Sequence, residues 1–301
     1  MMTRKGKVLL IYTGGTIGMG VNHATGALHP LDFNNFVNNV PEFTYLKTAV
    51  DTYQFTPPID SSDMAPELWT RLVSLIEEKY NQYDGFVILH GTDTMSYTAS
   101  ALSFMIENLT KPIILTGSQL PIGQLRTDGK ENLITSIELA AAHNNEGYPL
   151  VPEVSIYFNG QLIRGNRSTK RNADGFDAFD SFNYPRLCDV GVNIRFHEYA
   201  ILKPNYSKPT VMHKDLNPNI VILSLFPGIQ ENITKHIFDA PELEGVIIRS
   251  YGSGNAPHQQ WLMNLLSKAS ERGVTIVNIS QCIIPWNIKC IALKLLRFTI
   301  T

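Results

Sequence analysis

Two apolar runs in this chain stop at a glycine followed by a threonine. The first is Val8-Leu9-Leu10-Ile11-Tyr12, closed by Thr13-Gly14-Gly15-Thr16; the second is Phe86-Val87-Ile88-Leu89, closed by His90-Gly91-Thr92-Asp93. A threonine hydroxyl is a weak nucleophile and needs a nearby base or positive charge to attack a carbonyl. Asp93 and Lys170 are the candidate helpers, although a lysine within Arg167-Ser168-Thr169-Lys170-Arg171 ordinarily belongs to a solvated charged face. The paired glycines let the backbone turn sharply and let a ligand approach it, because neither carries a Cβ. Glycines at 14, 15, 18 and 20 do not fit G-x-G-x-x-G, and G-x-x-x-x-G-K-[ST] is absent, so nucleotide phosphates are not the expected ligand. His90 stands where a general base would be sought, but a hydroxyl–lysine–carboxylate arrangement does not require one, and it reads as structural.

For the two threonines to face one cleft, their strands must lie close together in one sheet. Short apolar runs rich in β-branched residues predict strands buried on both faces. Leu68, Leu72, Leu75 and Ile76 fall at helical spacing and predict a helix starting near Pro66, with Asp63 as its expected cap. Further strands are expected at 49–55 and 112–115, and helices at 33–40, 96–108 and 128–143, with a loop over 18–30. This alternation predicts βαβ units in a doubly wound, mostly parallel sheet, whose ligands bind at the carboxyl ends of the strands. Asn159-Gly160 between apolar runs predicts a β-hairpin over 154–164. A turn-rich stretch at 195–218 reads as an interdomain linker. Strands at 220–223, 246–248 and 274–279, with helices at 231–238 and 259–272, follow it. The expected fold is α/β, with a larger N-terminal catalytic domain over 1–194 and a smaller C-terminal α/β domain over 219–301.

The chain has 301 residues and a net charge of −2 with mixed signs, which gives no nucleic-acid footprint. Cys188, Cys282 and Cys290 show no C-x-x-C spacing, and an odd, sparse set fits a reducing compartment. The basic N-terminus leads into an apolar run too short for a signal peptide, and no stretch approaches the ~20 apolar residues of a membrane span. A soluble, cytoplasmic protein acting on a small molecule is expected, with neither nucleic acid nor membrane as partner.

Five motifs together carry a family resemblance. Thr13-Gly14-Gly15-Thr16-Ile17-Gly18 and His90-Gly91-Thr92-Asp93-Thr94-Met95 resemble the two signature motifs of bacterial-type L-asparaginases. Ile59-Asp60-Ser61-Ser62-Asp63-Met64, Arg164-Gly165-Asn166-Arg167-Ser168-Thr169-Lys170 and Arg249-Ser250-Tyr251-Gly252-Ser253-Gly254-Asn255 are similar to three more, in the same order. The cytoplasmic type I branch is the nearest. The resemblance implies hydrolysis of L-asparagine to L-aspartate and ammonia without metal or organic cofactor. It implies Thr16 as nucleophile of an acyl-enzyme, and Thr92, Asp93 and Lys170 as a second polar triad. Substrate binding falls to Gly15, Asp60, Ser61, Ser62 and Gly91, with Asn255 reaching the site of a neighbouring subunit in a homodimer or homotetramer. Thr169, Arg249 and Cys282 resemble positions lining a regulatory asparagine site in some relatives, although Cys282 also reads as a small core residue.

Two departures from the family pattern stand out. The segment Thr25-Gly26-Ala27-Leu28-His29-Pro30 lacks the tyrosine of the family's mobile loop, which leaves activation to Lys170 through Thr92, or to His29. After Cys282 the sequence Ile283-Ile284-Pro285-Trp286-Asn287-Ile288-Lys289-Cys290 matches nothing in the family, as though the end were truncated or altered. That tail raises the alternative of a catalytically impaired asparagine-binding homologue. A tRNA-dependent amidotransferase component is a further alternative, but it would want an extra domain or a basic surface.

Overall fold

The continuous apolar run Lys7–Tyr12 forms a strand, β1, with Val8, Leu9, Leu10, Ile11 and Tyr12 all buried. The computed structural model describes residues 6–21, 28–30, 40–283 and 291–292. The helix expected at 33–40 and the Thr25-Gly26-Ala27 segment lie outside the described residues except Val40, as do Ile284 to Cys290 of the tail. Successive side chains of β1 point to opposite faces, so burial of all five requires a layer of helices on each side.

That is the architecture of the first compact unit, residues 1–215. After β1 come β2 (Ala49–Gln54), α1 (Pro66–Lys79), β3 (Gly85–Leu89), α2 (Met95–Met105), β4 (Ile113–Thr116) and α3 (Gly129–Ala140). They are followed by β5 (Val154–Phe158), β6 (Gln161–Arg164), β7 (Cys188–Val190) and β8 (Ile194–Phe196). One sheet runs in the order β8-β7-β6-β5-β4-β3-β1-β2. The pairs from β2 to β5 are parallel, and those from β5 to β8 are antiparallel. Leu9, Ile11, Phe86, Ile88, Ile113 and Leu115 face one core with Leu72 and Ile76 of α1 and Ala99 and Leu102 of α2. Val8, Leu10, Val87, Leu89 and Ile114 face another, with Leu133, Ile137 and Ala140 of α3. Each fully buried branched side chain contributes about 1.5–3 kcal/mol, so the strand sequences themselves specify three layers.

The order β2-β1-β3 sets the position of the site. The chain leaves β1 toward β2 on one side and returns to β3 on the other, so the connections diverge between β1 and β3. In open α/β sheets a ligand binds at such a divergence, outside the carboxyl ends of the strands. Both glycine–threonine corners stand there. The predicted hairpin is present: Asn159 (φ 47°) and Gly160 (φ 77°) make the tight turn between β5 and β6.

Two expectations are corrected. Asp63 does not cap α1: Ala65 holds the cap position without a side-chain bond, and Pro66 starts the helix with its preset φ. Asp60 is the capping residue of this region, accepting from the Ser62 N–H at 2.9 Å and so closing a short turn over Ser61–Asp63. The stretch 195–218 is more than a linker. Ile194–Phe196 closes the sheet as β8, and Val211–Met212 pairs with Ile106–Glu107, leaving the division between units at Asp215/Leu216. Backbone pairing of short edge segments leaves little apolar pattern to read.

The second unit, residues 216–301, contains β9 (Ile220–Ser224), α4 (Glu231–Phe238), β10 (Gly245–Ser250), α5 (Gln260–Glu271) and β11 (Thr275–Ser280). The three strands are parallel, and Ile291–Ala292 pairs antiparallel to β11. Leu223, Val246, Ile248 and Ile276 pack against Phe238, Leu262, Leu266 and Ala269 on one face. Ile220 and Ile222 are exposed. Cys282 is exposed rather than a core residue, whereas Cys188 is buried and its thiol is pushed up to about 11 by burial. No helix among the described residues is long and apolar enough to cross a membrane.

Candidate active site

Two glycine corners and the serine turn meet in close contact. Gly15 has φ 93°, and a Cβ there would lie 2.5 Å from the Gly91 nitrogen; a Cβ on Gly91 would lie 2.4 Å from Ser61 Oγ. Gly14 is equally constrained, since its Cβ would strike the Ile59 carbonyl oxygen at 2.0 Å. Backbone bonds hold these corners in register: Thr13 N donates to Leu89 O at 3.0 Å and Ile59 N to Thr13 O at 2.7 Å. The Thr13 hydroxyl adds a bond to Leu89 O at 2.9 Å. Gly15, Ser61 and Gly91 are therefore in contact, which brings the corner bearing Thr16 against the corner bearing Thr92.

Lys170 completes the second corner. The chain leaves β6 at Arg164, on the amino edge of the neighbouring strands, and runs along α2, where a Cβ on Gly165 would meet Ala99 O and Ser103 Oγ at 3.0 Å. It delivers Lys170 Nζ to 2.8 Å from Thr92 Oγ1 and 2.6 Å from Asp93 Oδ1. The lysine side chain is 18% exposed and the aspartate 67%, so the cation is sheltered while the carboxylate faces outward. Lys170 is thus paired and sheltered, while Arg167 and Arg171 of the same basic run are exposed. Its anchor is a buried ion pair, Arg164 Nε to Glu153 Oε2 at 2.6 Å, reinforced by Arg164 Nη2 to Ala200 O at 2.8 Å.

Thr16 opens a short turn over Thr16–Gly18, and its hydroxyl makes no hydrogen bond to a described residue. The backbone N–H groups of Gly15, Thr16 and Thr92 likewise find no acceptor among the described residues. Free N–H groups beside the amino end of α2 form a place where negative charge on oxygen is stabilised. Ser62 Oγ donates to Asp60 Oδ1 at 2.8 Å, and the Ser62 N–H with this hydroxyl holds the Asp60 carboxyl below its usual range. Thr94 Oγ1 donates to Ser61 O at 2.6 Å, fastening the serine turn to the start of α2.

His90 is fully buried and lowered to about 4 by burial, so it is neutral. Its ring nitrogens are taken up by Gly91 O at 2.7 Å and Thr98 Oγ1 at 2.9 Å. It is not presented to a substrate as a base.

A third corner escapes the sequence reading. β4 ends in Thr116-Gly117-Ser118-Gln119, the same pattern of apolar run, glycine and hydroxyl that marks the other two. Asp128 clamps this loop by accepting from Gln119 N at 3.0 Å and Leu120 N at 3.2 Å. Gln119 Nε2 donates to Gly175 O at 3.0 Å, tying the corner to the segment that follows Lys170.

Thr169 is exposed and pairs with Asp180 in a two-residue ladder beside Lys170. In the second unit, Asn255 is exposed and closes a tight turn with Tyr251. Arg249 and Cys282 stand near the ends of adjacent strands, linked through Gln281 Nε2 to Arg249 O at 2.7 Å. His29 lies in a short ladder with Gly20.

The family model described as "Asparaginase, N-terminal" matches residues 7–202, and "Glutaminase/Asparaginase C-terminal domain" matches residues 219–284. L-asparaginase 1 of Escherichia coli strain K12 is 42% identical over 290 residues, covering 93% of this chain and 80% of that protein. The 60 kDa lysophospholipase of Mus musculus is 38% identical over 298 residues, covering 92% of this chain and 52% of that protein. The crystal structure of L-asparaginase I from Vibrio cholerae superposes with a TM-score of 0.83 at 40% identity, covering 92% of this chain and 82% of that one.

Proposed function

The chain belongs to the asparaginase family, and on that premise we propose that it hydrolyses the side-chain amide of L-asparagine to L-aspartate and ammonia. The contact that carries this reading is Lys170 Nζ on Thr92 Oγ1 at 2.8 Å, in a corner packed against the one bearing the unengaged Thr16 hydroxyl.

Thr16 Oγ1 attacks the amide carbon, and the carbonyl oxygen takes on negative charge that the free N–H groups of Thr16 and Thr92 stabilise. The proton lost by Thr16 passes across Thr92 to the amide nitrogen. Lys170 stabilises the charge that builds on the Thr92 oxygen as it does so. The carbon–nitrogen bond breaks, ammonia leaves, and an ester on Thr16 remains. Water then adds to the ester, returns a proton to Thr16 and releases aspartate. Asp93 engages Lys170 through Oδ1 and, being largely exposed, has its other oxygen for the substrate α-ammonium. Ser61 faces the α-carboxylate with its hydroxyl, on a turn that Ser62 fixes by giving its N–H and hydroxyl to Asp60.

We assign the enzyme to the cytoplasm as a homo-oligomer in which Asn255 serves a neighbouring subunit's site, in keeping with its exposed tight turn. The test is ammonia release from L-asparagine by purified protein alongside Thr16→Ala and Thr92→Val. Release abolished by both substitutions supports the two-threonine site. Undiminished release from either variant refutes it.

A further inference from the structure

A chain of hydrogen bonds runs from the body of the first unit to the backbone of Thr92. Trp69 Nε1, on α1, donates to Thr98 Oγ1 on α2 at 2.9 Å. Thr98 Oγ1 lies 2.9 Å from His90 Nε2, and His90 Nδ1 lies 2.7 Å from the Gly91 carbonyl oxygen. Thr98 and Gly91 are buried with His90.

The direction of every bond is fixed by the chemistry of its ends. A carbonyl oxygen only accepts, so His90 Nδ1 carries the proton. An indole N–H only donates, so the Thr98 oxygen accepts from Trp69 and spends its own proton on His90 Nε2. A neutral imidazole has one donor and one acceptor nitrogen, and both ends of the chain select the same tautomer.

The peptide joining Gly91 to Thr92 is planar and trans, so its C=O and N–H point in opposite directions. A carbonyl drawn toward buried His90 therefore sends the Thr92 N–H the other way. Gly91, lacking a Cβ, would otherwise let this peptide rotate. We propose that His90, held by Thr98 and Trp69, is a positioning residue that aims the Thr92 N–H and hydroxyl at the reacting amide. The inference rests on the catalytic role assigned to Thr92 above.

The test separates the two nitrogens of the ring. Asparagine at 90 places an N–H where Nδ1 is, and glutamine places its polar group where Nε2 is. His90→Gln is expected to lower kcat for L-asparagine about 10- to 100-fold with KM within about threefold, the loss typical of a misaimed donor. His90→Asn is expected to recover kcat to within about fivefold of the parent. Trp69→Phe, a milder change that keeps the ring, is expected to lower kcat about two- to fivefold. Nitrogen-15 NMR of the histidines should show one buried ring as the neutral Nδ1–H tautomer, in the parent and equally in Thr16→Ala.

Equal kcat losses in the Asn and Gln variants that follow their melting temperatures would reduce His90 to packing and overturn the proposal. So would an Nε2–H tautomer. If the parent shows the Nδ1–H tautomer but releases no ammonia from asparagine or glutamine, the functional reading fails while the hydrogen-bond chain stands.

Discussion

Replacing Lys170 by methionine keeps the apolar stem and removes the charge that touches Thr92. Nζ lies 2.8 Å from Thr92 Oγ1. A full negative charge on that oxygen would interact with the ammonium by about 6 kcal/mol at an effective dielectric constant of about 20. In the reaction proposed above, charge on Thr92 is only partly developed at the transition state, and Asp93, 2.6 Å from the same nitrogen, draws on the same cation. About half the interaction, ~3 kcal/mol, then separates the transition state from the ground state, a loss of about 100-fold in kcat. Stability should hardly change. The ion pair has a partner that is 67% exposed, and such pairs contribute about 0–1 kcal/mol, so the melting temperature should fall by less than ~3 °C. Steady-state ammonia release and a thermal melt on the same preparation decide the matter. A Lys170→Met enzyme that retains a third or more of the parent kcat would refute the role given to the charge. A loss of activity matched by a large fall in melting temperature would move Lys170 from chemistry to scaffolding.

Three more substitutions probe two glycines of positive φ and the buried ion pair. Gly15→Ala adds a Cβ 2.5 Å from the Gly91 nitrogen at φ 93°, and should cost more than ~3 kcal/mol in a urea melt and abolish activity. Gly147→Ala, at φ 87° with nothing within 4 Å, should cost only about 1 kcal/mol. Arg164→Met leaves Glu153 buried without its cation, and should destabilise by about 3–5 kcal/mol, read from the urea midpoint. Buried His90 is lowered from 6.5 to about 4, so between those values the unfolded chain binds the extra proton. Stability from this residue is complete above about pH 6.5 and falls as pH drops toward 4, by about 3 kcal/mol in all. Urea unfolding at about pH 7 and about pH 4.5 should show that loss in the parent and a smaller one in His90→Asn.

Apolar runs such as Val8–Tyr12 and Phe86–Leu89 are legible because strands buried on both faces leave no room for polar residues. The turn at Asn159-Gly160 is legible because few sequences adopt two successive positive φ angles. Thr16, Thr92, Asp93 and Lys170 can be named from their motifs, but that Lys170 is sheltered and doubly bonded depends on a partner 78 positions away. The same distance problem hides Trp69 and Thr98, whose bonds to each other and to His90 cross between elements. Asp63 resembles a cap because it stands just before the helix. Asp60 closes the serine turn instead, and the helix begins without a side-chain cap. Ile194–Phe196 and Val211–Met212 belong to ladders too short to carry a two-residue period.

The route by which Lys170 reaches Thr92 has a kinetic consequence. The contact spans 78 positions, and the bond that locks Thr13 to Leu89 spans 76. Contacts between distant positions form slowly, because long loops must close before any bond rewards them. A chain growing from its N-terminus completes both glycine–threonine corners well before β5, β6 and the lysine segment exist. Until those have folded, Thr92 lacks its contact with Lys170, and the role proposed for that lysine predicts no turnover. Activity regained on refolding therefore tracks closure of the whole first unit, and it should trail the return of helical signal from α1 and α2.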